Sequence, residues 1–272
     1  VESPPKDDIV ASLLRGLDVL GILSAADQPL SLAEVARLGA TTRATARRLL
    51  LTLERIGYVA TDGPTFWLRP KVMELGDAYL DGLGLPRIAH PHLAALAERV
   101  RDTCSLTVLD GDTVVYVDRV KAPRMMTVNI AIGTRLPAYV MSSGRVLLAD
   151  LPEDALAAFL DGLHAEPITG HTRTARAELA AMVAQARTDG YAIADQEIDP
   201  ALRAVAAPVR GPDGRAVGAV NVATHVTRAS LEQLRDEVLP ELLATTRAIE
   251  ADLAIRPGSA LPPAAGRDQR RP

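Results

Sequence analysis

The sequence predicts an α+β fold in two parts: an N-terminal winged helix-turn-helix module and a C-terminal α/β domain whose antiparallel sheet is flanked by helices. Three observations predict it. Three helical patterns and a hairpin signal fill the first 69 residues. After Arg101 the apolar period shortens to that of strands, in stretches rich in Val, Leu and Thr. Those stretches arrive as hairpins with helices on either side, not as the strand–helix–strand alternation of a parallel sheet.

Val1–Asp8 reads as a loose leader. Over Ile9–Ala25, apolar residues at Ile9, Leu13, Leu17, Leu20 and Leu23 recur at the spacing of one helical face, and Pro29 follows as a breaker. Ser31-Leu32-Ala33-Glu34 is a capping box that opens a second helix, ending near Gly39. Thr41 or Thr42 caps a third, with an inner stripe of Ala46, Leu49, Leu50, Leu53 and Ile56. Tyr58–Thr61 and Thr65–Leu68, joined by Asp62-Gly63-Pro64, form the hairpin, and alternation sends one of Phe66 and Trp67 inward. These elements make a DNA-binding-type module over 9–69, followed by a linker helix over 70–85.

The second domain covers 86–254 and opens with a helix over Ile88–Arg101. Strands are predicted at Ser105–Leu109, Thr113–Val120 and Met125–Ala131, and helices at Ser142–Ala149, Pro152–Gly162 and Arg173–Asp189. Three more strands (Tyr191–Gln196, Ala204–Arg210, Ala216–Thr224) precede an unbroken closing helix, Leu231–Leu253. Residues 255–272, Pro-rich and without apolar period, predict a disordered tail.

Composition excludes several classes. A chain of 272 residues with 48% hydrophobic content can fill a core and is not wholly disordered. One Cys excludes a disulfide scaffold and a multi-Cys metal site, and suits a reducing, cytoplasmic compartment. No apolar run of about 18 residues is present, and VESPPKDD is not a basic leader, so neither a membrane span nor a signal peptide is predicted. The net charge of −4 argues against a protein that coats nucleic acid with its whole surface. Charge is nonetheless local: between Val35 and Arg55 five arginines face one acid, Glu54, a net of +4.

That positive stretch falls on the third helix, behind the short turn Gly39-Ala40-Thr41. With the apolar stripe facing the core, Arg43, Thr45, Arg47 and Arg48 lie on the outward, N-terminal half, the part that enters a major groove in such modules. Arginine's planar fork matches guanine O6 and N7 or a phosphate, and Thr41, Thr42 and Thr45 can reach backbone or bases. The expected partner is double-stranded operator DNA, read by a homodimer in two half-sites. A solvated arginine face on a small helical domain accounts for the same pattern.

The α/β domain offers a pocket without a catalytic set. It has no Gly-rich phosphate loop, no nucleophile elbow and no His-Glu-x-x-His spacing, so no metal or cofactor is expected. Cys104 reads as a small buried hydrophobe. Ser142-Ser143-Gly144 at a helix start suits a cap, and the N–H groups there suit an anion. Tyr139, Asp195, Glu197, Arg203 and Asn221 are further pocket candidates. Alternation at the close of a strand puts Asp195 and Glu197 on one face, with Arg203 near enough to offset one of them. Of the adjacent Met125 and Met126 only one points inward, to the core or, as Met126, to an adaptable cavity. Two rival readings stay open: a small-acid enzyme using Asp195 or Glu197 as base, and a DNA-bound scaffold whose cavity has collapsed.

Over residues 9–254 the chain resembles the IclR family of bacterial transcription regulators. The first part carries the resemblance in LLRGLDVLGIL, SLAEVARLGATTRATARRLLLTLERIGYV and FWLRPKVMELG. The second carries it in GTRLPAYVMSSGRVLLA, DGYAIADQEI and AAPVRGPDGRAVGAVNVA. RATARRLLLTL and CSLTVLDGDTVVYVDRV look most like the regulators of the beta-ketoadipate pathway, which govern protocatechuate or 4-hydroxybenzoate breakdown. The resemblance implies a GAF-like effector domain, a small aromatic or dicarboxylic acid effector, and DNA binding by dimers often paired into tetramers. It assigns Thr42, Arg43, Thr45, Arg47 and Arg48 to the DNA-reading helix, Ser142 and Ser143 to the segment contacting effector carboxylates, and Asp195 and Glu197 to the family's acidic strand end. Three places depart from the family pattern. Tyr139 stands where much of the family has His, and Ile198-Asp199-Pro200-Ala201 replaces an acidic-Gly loop. Ala204, where Cys or Ser is common, implies a different or more apolar effector.

Overall fold

The computed structural model describes residues 9–76, 84–122 and 130–255, and the chain divides into two compact units between Tyr79 and Leu80. The α+β class expected from the sequence is the class observed.

In the first unit, helices α1 (Ala11–Ser24), α2 (Leu32–Leu38) and α3 (Arg43–Arg55) accompany strands β1 (Leu30–Ser31), β2 (Val59–Thr61) and β3 (Thr65–Leu68). The strands pair antiparallel in the order β1-β3-β2; the two-residue β1 is too short to announce itself in a sequence. Both expected caps form. Ser31 and Glu34 close a capping box, and Thr42 Oγ1 accepts the Thr45 N–H at 3.2 Å. Each satisfies donors that the first turn of a helix would otherwise leave unpaired. Val19, Leu23, Val35, Ala46, Leu50, Leu53 and Phe66 meet in one core, so Phe66 is the inward ring of the wing and Trp67 the outward one. Two apolar stripes are shorter than expected. Ile9, Leu13 and Leu17 are exposed because only the C-terminal half of α1, through Val19 and Leu23, reaches the core. Ile56 is exposed because α3 stops at Arg55. The expected linker helix begins as a 3-10 turn over Pro70–Val72 that continues helically over 73–76; the rest of it lies outside the described residues.

The second unit opens with helix α4 (Leu85–Val100), three residues earlier than expected. Its six-stranded antiparallel sheet contains β4 (Thr103–Asp110), β5 (Thr113–Val120), β6 (Arg135–Pro137), β7 (Ala192–Asp195), β8 (Leu202–Arg210) and β9 (Ala216–His225), in the order β6-β5-β4-β9-β8-β7. The expected strand Met125–Ala131 falls largely on residues 123–129, outside the described residues, while Ile130 and Ala131 are not extended pairing partners. The strand that pairs with β5 on its outer side is β6.

Helices α5 (Ser142–Leu148), α6 (Glu153–Asp161), α7 (Arg176–Asp189) and α8 (Leu239–Ile255) complete the unit. One face of the sheet presents Cys104, Leu106, Val205, Val209, Val220 and Val222 to a core shared with Leu93 and Leu96 of α4 and Leu242 and Ile249 of α8. The other presents Val114, Tyr116, Ala192, Ala206 and Ala219 to a core shared with Val146 and Leu147 of α5 and Leu179 and Val183 of α7. Both faces are therefore dry. The closing helix, expected unbroken, starts as a capped turn at Leu231–Gln233 and widens into a π-turn over Leu234–Val238 before α8. Pro240 supplies the cause, since it has no N–H to give the Asp236 carbonyl one turn earlier.

Helix α5 lies against the 3-10 turn Ala138–Val140, and Gly144 makes that approach possible. A Cβ on Gly144 would stand 2.0 Å from the Ala138 carbonyl oxygen. Gly144→Ala is expected to lower unfolding free energy by about 1–3 kcal/mol in urea titrations through overpacking. Gly170→Ala, where nothing lies within 4 Å, should stay within about 0.5 kcal/mol of the parent.

Candidate functional site

The basic helix of the first unit is built as the sequence implies. Burying Ala46, Leu50 and Leu53 turns Arg43, Arg47 and Arg48 to the exposed side of α3. None of the three forms an ion pair among the described residues, whereas ten ion pairs form elsewhere in them. Three neighbouring guanidinium groups left in water on one turn and a half of helix repel one another, and a polyanion would relieve that. Thr42 and Thr45 have a structural part as well: the Thr42 hydroxyl donates to Thr45 Oγ1 at 3.0 Å while capping the helix. Thr41 is half-buried in the turn. Beside the helix, the Lys71 ammonium donates to the Ile56 carbonyl at 3.0 Å and lies 5.3 Å from the Tyr58 ring centre.

In the second unit a small cavity opens on the α5 side of the sheet. Strand alternation makes its floor. On β4, Cys104, Leu106 and Val108 go to the α4–α8 core, so Thr103, Ser105 and Thr107 go to the other face, where a second layer of helices buries them. Two rows of registered residues cross the cavity: Arg119, Ser105 and Asn221, and then Thr103, Ala223, Ala204 and Ala194. The first row is polar and the second is small and almost wholly apolar. Tyr116, Ile130, Val140, Met141, Ile198 and Leu202 close the remaining walls. Arg119 donates to the Ile130 carbonyl at 2.9 Å, and burial lowers its pKa while Tyr116 raises it. Burial pushes the Tyr116 phenol up to about 12.

Of the residues proposed from sequence, Asn221, Glu197 and Arg203 stand on the cavity wall. Tyr139, Ser142, Ser143 and Asp195 are not among its lining residues, and Met126 lies outside the described residues. The Tyr139 hydroxyl donates to the Glu166 carbonyl at 2.8 Å and accepts the Glu166 N–H at 3.0 Å, which occupies it in loop packing. Ser142 and Ser143 do not cap α5. The capping position is Met141, without a side-chain bond, and the two buried serine hydroxyls make no hydrogen bond among the described residues. Asp195 and Glu197 do not share a face, because Gln196 at φ 61° breaks the alternation between them. Asp195 accepts from Arg203 Nε at 2.6 Å, the pairing the sequence allowed for one of the two.

Glu197 turns inward instead, 4% exposed, against Arg145, 1% exposed. The pair is bidentate, Nη1 to Oε1 at 2.7 Å and Nη2 to Oε2 at 2.6 Å. Arg145 also donates to the Tyr139 and Ile193 carbonyls, at 3.1 and 3.2 Å. Sequence reading missed Arg145; its signal is a charged residue at the head of the apolar run Val146-Leu147-Leu148-Ala149, with buried neighbours on both sides. Arg119, Ser105 and Tyr116 were missed for a related reason: alternating polar residues on a strand ordinarily face water.

Two family models match the chain: "IclR helix-turn-helix domain" over residues 12–63 and "Bacterial transcriptional regulator IclR C-terminal" over 77–251. The chain is similar to the Pca regulon regulatory protein of Pseudomonas putida, 35% identical over 88% of this chain and 83% of that one. It is also similar to the p-hydroxybenzoate hydroxylase transcriptional activator of Acinetobacter baylyi, 31% identical over 88% and 90%. Among solved structures, a transcriptional regulator from Rhodococcus sp. RHA1 superposes with a TM-score of 0.81 at 49% identity, over 91% of this chain and 99% of that one.

Two measurements probe the buried groups. Arg145→Met leaves the Glu197 charge buried without its partner and should cost about 3–5 kcal/mol of stability, while Arg145→Met/Glu197→Leu, which removes both charges, should recover most of it. A double-mutant cycle in urea reads the difference. Tyr116 has a folded pKa above its unfolded value of 10.0, so above that pH the unfolded state loses its proton first. The Tyr116 contribution to stability is then intact below about pH 10 and falls towards pH 12, and Tyr116→Phe should remove that part of the alkaline loss. An earlier part, beginning near pH 9, belongs to Cys104, whose thiol burial also raises to about 12.

Proposed function

The chain belongs to the IclR family of bacterial transcription regulators, and we propose that it acts as a homodimer whose α3 helices read an operator under control of an aromatic acid held in the second unit. Exposed Arg43, Arg47 and Arg48, which form no ion pair among the described residues, stand at the groove-entering end of α3 and carry this reading. Each protomer supplies one such helix, and two are needed for the area and phosphate contacts of a specific complex. On the effector side, Arg119 takes the carboxylate, in place of the serines expected from sequence. It is the basic side chain of the polar row, and the acids nearby are already paired, Glu197 with Arg145 and Asp195 with Arg203. A relative named for p-hydroxybenzoate hydroxylase control supports aromatic-acid catabolism as the regulated process.

Catalysis is not part of this reading. The carboxylates that would serve as bases are each held by an arginine at 2.6 Å, Glu197 by Arg145 and Asp195 by Arg203, so each already accepts hydrogen bonds where a substrate proton would have to arrive. No described helix is long and apolar enough to cross a membrane, and a cytoplasmic place follows from the proposed work on DNA.

Anisotropy titration with labelled DNA from upstream of the protein's own gene tests the proposal, with and without 4-hydroxybenzoate or protocatechuate. Parent protein should bind, and at least one acid should shift the affinity. Arg47→Ala should weaken binding by about 5- to 150-fold with unchanged melting, the loss of a base or phosphate contact worth ~1–3 kcal/mol. Arg119→Met should abolish the acid's effect. Absence of DNA binding under every condition would overturn the reading.

A further inference from the structure

The cavity has two chemically different ends. Arg119, Ser105 and Asn221 occupy one registered row on three adjacent strands, so at roughly 4.8 Å per strand the Arg119 and Asn221 backbones stand about 10 Å apart. One end carries a charge. The other carries a carboxamide that is 2% exposed and makes no hydrogen bond among the described residues, with its oxygen fully enclosed. The Ser105 and Tyr116 hydroxyls between them likewise make no side-chain hydrogen bond among the described residues. An enclosed polar atom such as the Asn221 oxygen is costly unless something pairs with it.

What can pair with Asn221 is restricted by its chemistry. A carboxamide offers an acceptor and a donor side by side, so its best partner both donates and accepts, as a hydroxyl does. A second carboxylate only accepts; it would satisfy the amide N–H and leave the enclosed oxygen facing negative charge. An unsubstituted ring satisfies neither end. Beside this row the walls are apolar, small at Ala204 and Ala223 and larger at Leu202 and Met141, which suits a ring.

We infer that Asn221 is a specificity-determining residue that binds a ring hydroxyl, so that the cavity selects hydroxylated aromatic carboxylates over unsubstituted aromatic acids and aliphatic dicarboxylates. This rests on the reading of the cavity as the effector site with the carboxylate at Arg119.

Calorimetric titration of the full chain with 4-hydroxybenzoate, 3-hydroxybenzoate, benzoate and adipate tests it. At least one hydroxybenzoate should bind about tenfold or more tighter than benzoate and adipate, the loss expected when a buried polar group is left unpaired. Asn221→Leu, close in shape, should bring the hydroxybenzoate-to-benzoate ratio near one, with benzoate affinity kept within about threefold; Asn221→Ser, which restores a hydroxyl, should recover part of the ratio. Benzoate or adipate binding as tightly as both hydroxybenzoates would overturn the inference, and so would full discrimination in both variants. If Asn221→Leu fails to fold, the parent ratios and Asn221→Ser still decide. Discrimination failing while the acids bind leaves the effector reading standing. Binding of none of the four acids removes the carboxylate site at Arg119, and the role of Asn221 with it.

Discussion

Taking an arginine and a glutamate out of water costs several kcal/mol per ion, and only close, multiply bonded geometry offsets it. Arg145 and Glu197 meet that demand with two bonds to each other and two more from Arg145 to the Tyr139 and Ile193 carbonyls. Those four bonds tie α5 to the turn before it, to β7 and to the segment after β7. Thr172 adds a further tie by donating to the Glu197 carbonyl at 2.7 Å. The pair therefore fixes the roof of the cavity over the sheet. It also removes Glu197 as a bare negative charge from a wall proposed to receive an acid. Gly144 is the steric counterpart, since any side chain there would lift α5 off the Ala138–Val140 turn.

The floor depends on a second constraint, the burial of both faces of one sheet. An antiparallel sheet with one wet face would show Thr103, Ser105 and Thr107 to solvent. Here α5 and α7 cover that face, and the polar residues become the chemistry of an enclosed site. Small residues on β7, β8 and β9 leave the volume: Ala194, Ala204 and Ala223 stand where larger side chains would fill it. A ligand held in such a site alters DNA affinity only if it binds the DNA-competent arrangement and its alternative unequally.

Much of this was legible in the residues and some was not, for identifiable reasons. Capping boxes are local, so Ser31 with Glu34 could be read directly, as could the apolar face of α3 that sets the direction of Arg47. The Asp195–Arg203 pair followed from closeness in sequence. Pairings between distant segments left weaker traces: the two residues of β1, the short β6, and Arg145, which meets Glu197 across 52 residues. Ser142 and Ser143 were expected as caps because hydroxyls at a helix start usually cap, whereas here the capping position falls one residue earlier, on Met141. The expected common face of Asp195 and Glu197 failed at a single residue, Gln196, whose left-handed backbone no period could reveal.

Linkage gives the most direct measurement. The affinity of the acid should be determined for the free protein and for the operator-bound protein, alongside operator affinity with and without saturating acid. If the cavity is the control site, the two ratios are equal and differ from one, because coupling between sites is reciprocal. An acid that binds free and operator-bound protein with the same affinity would contradict the account.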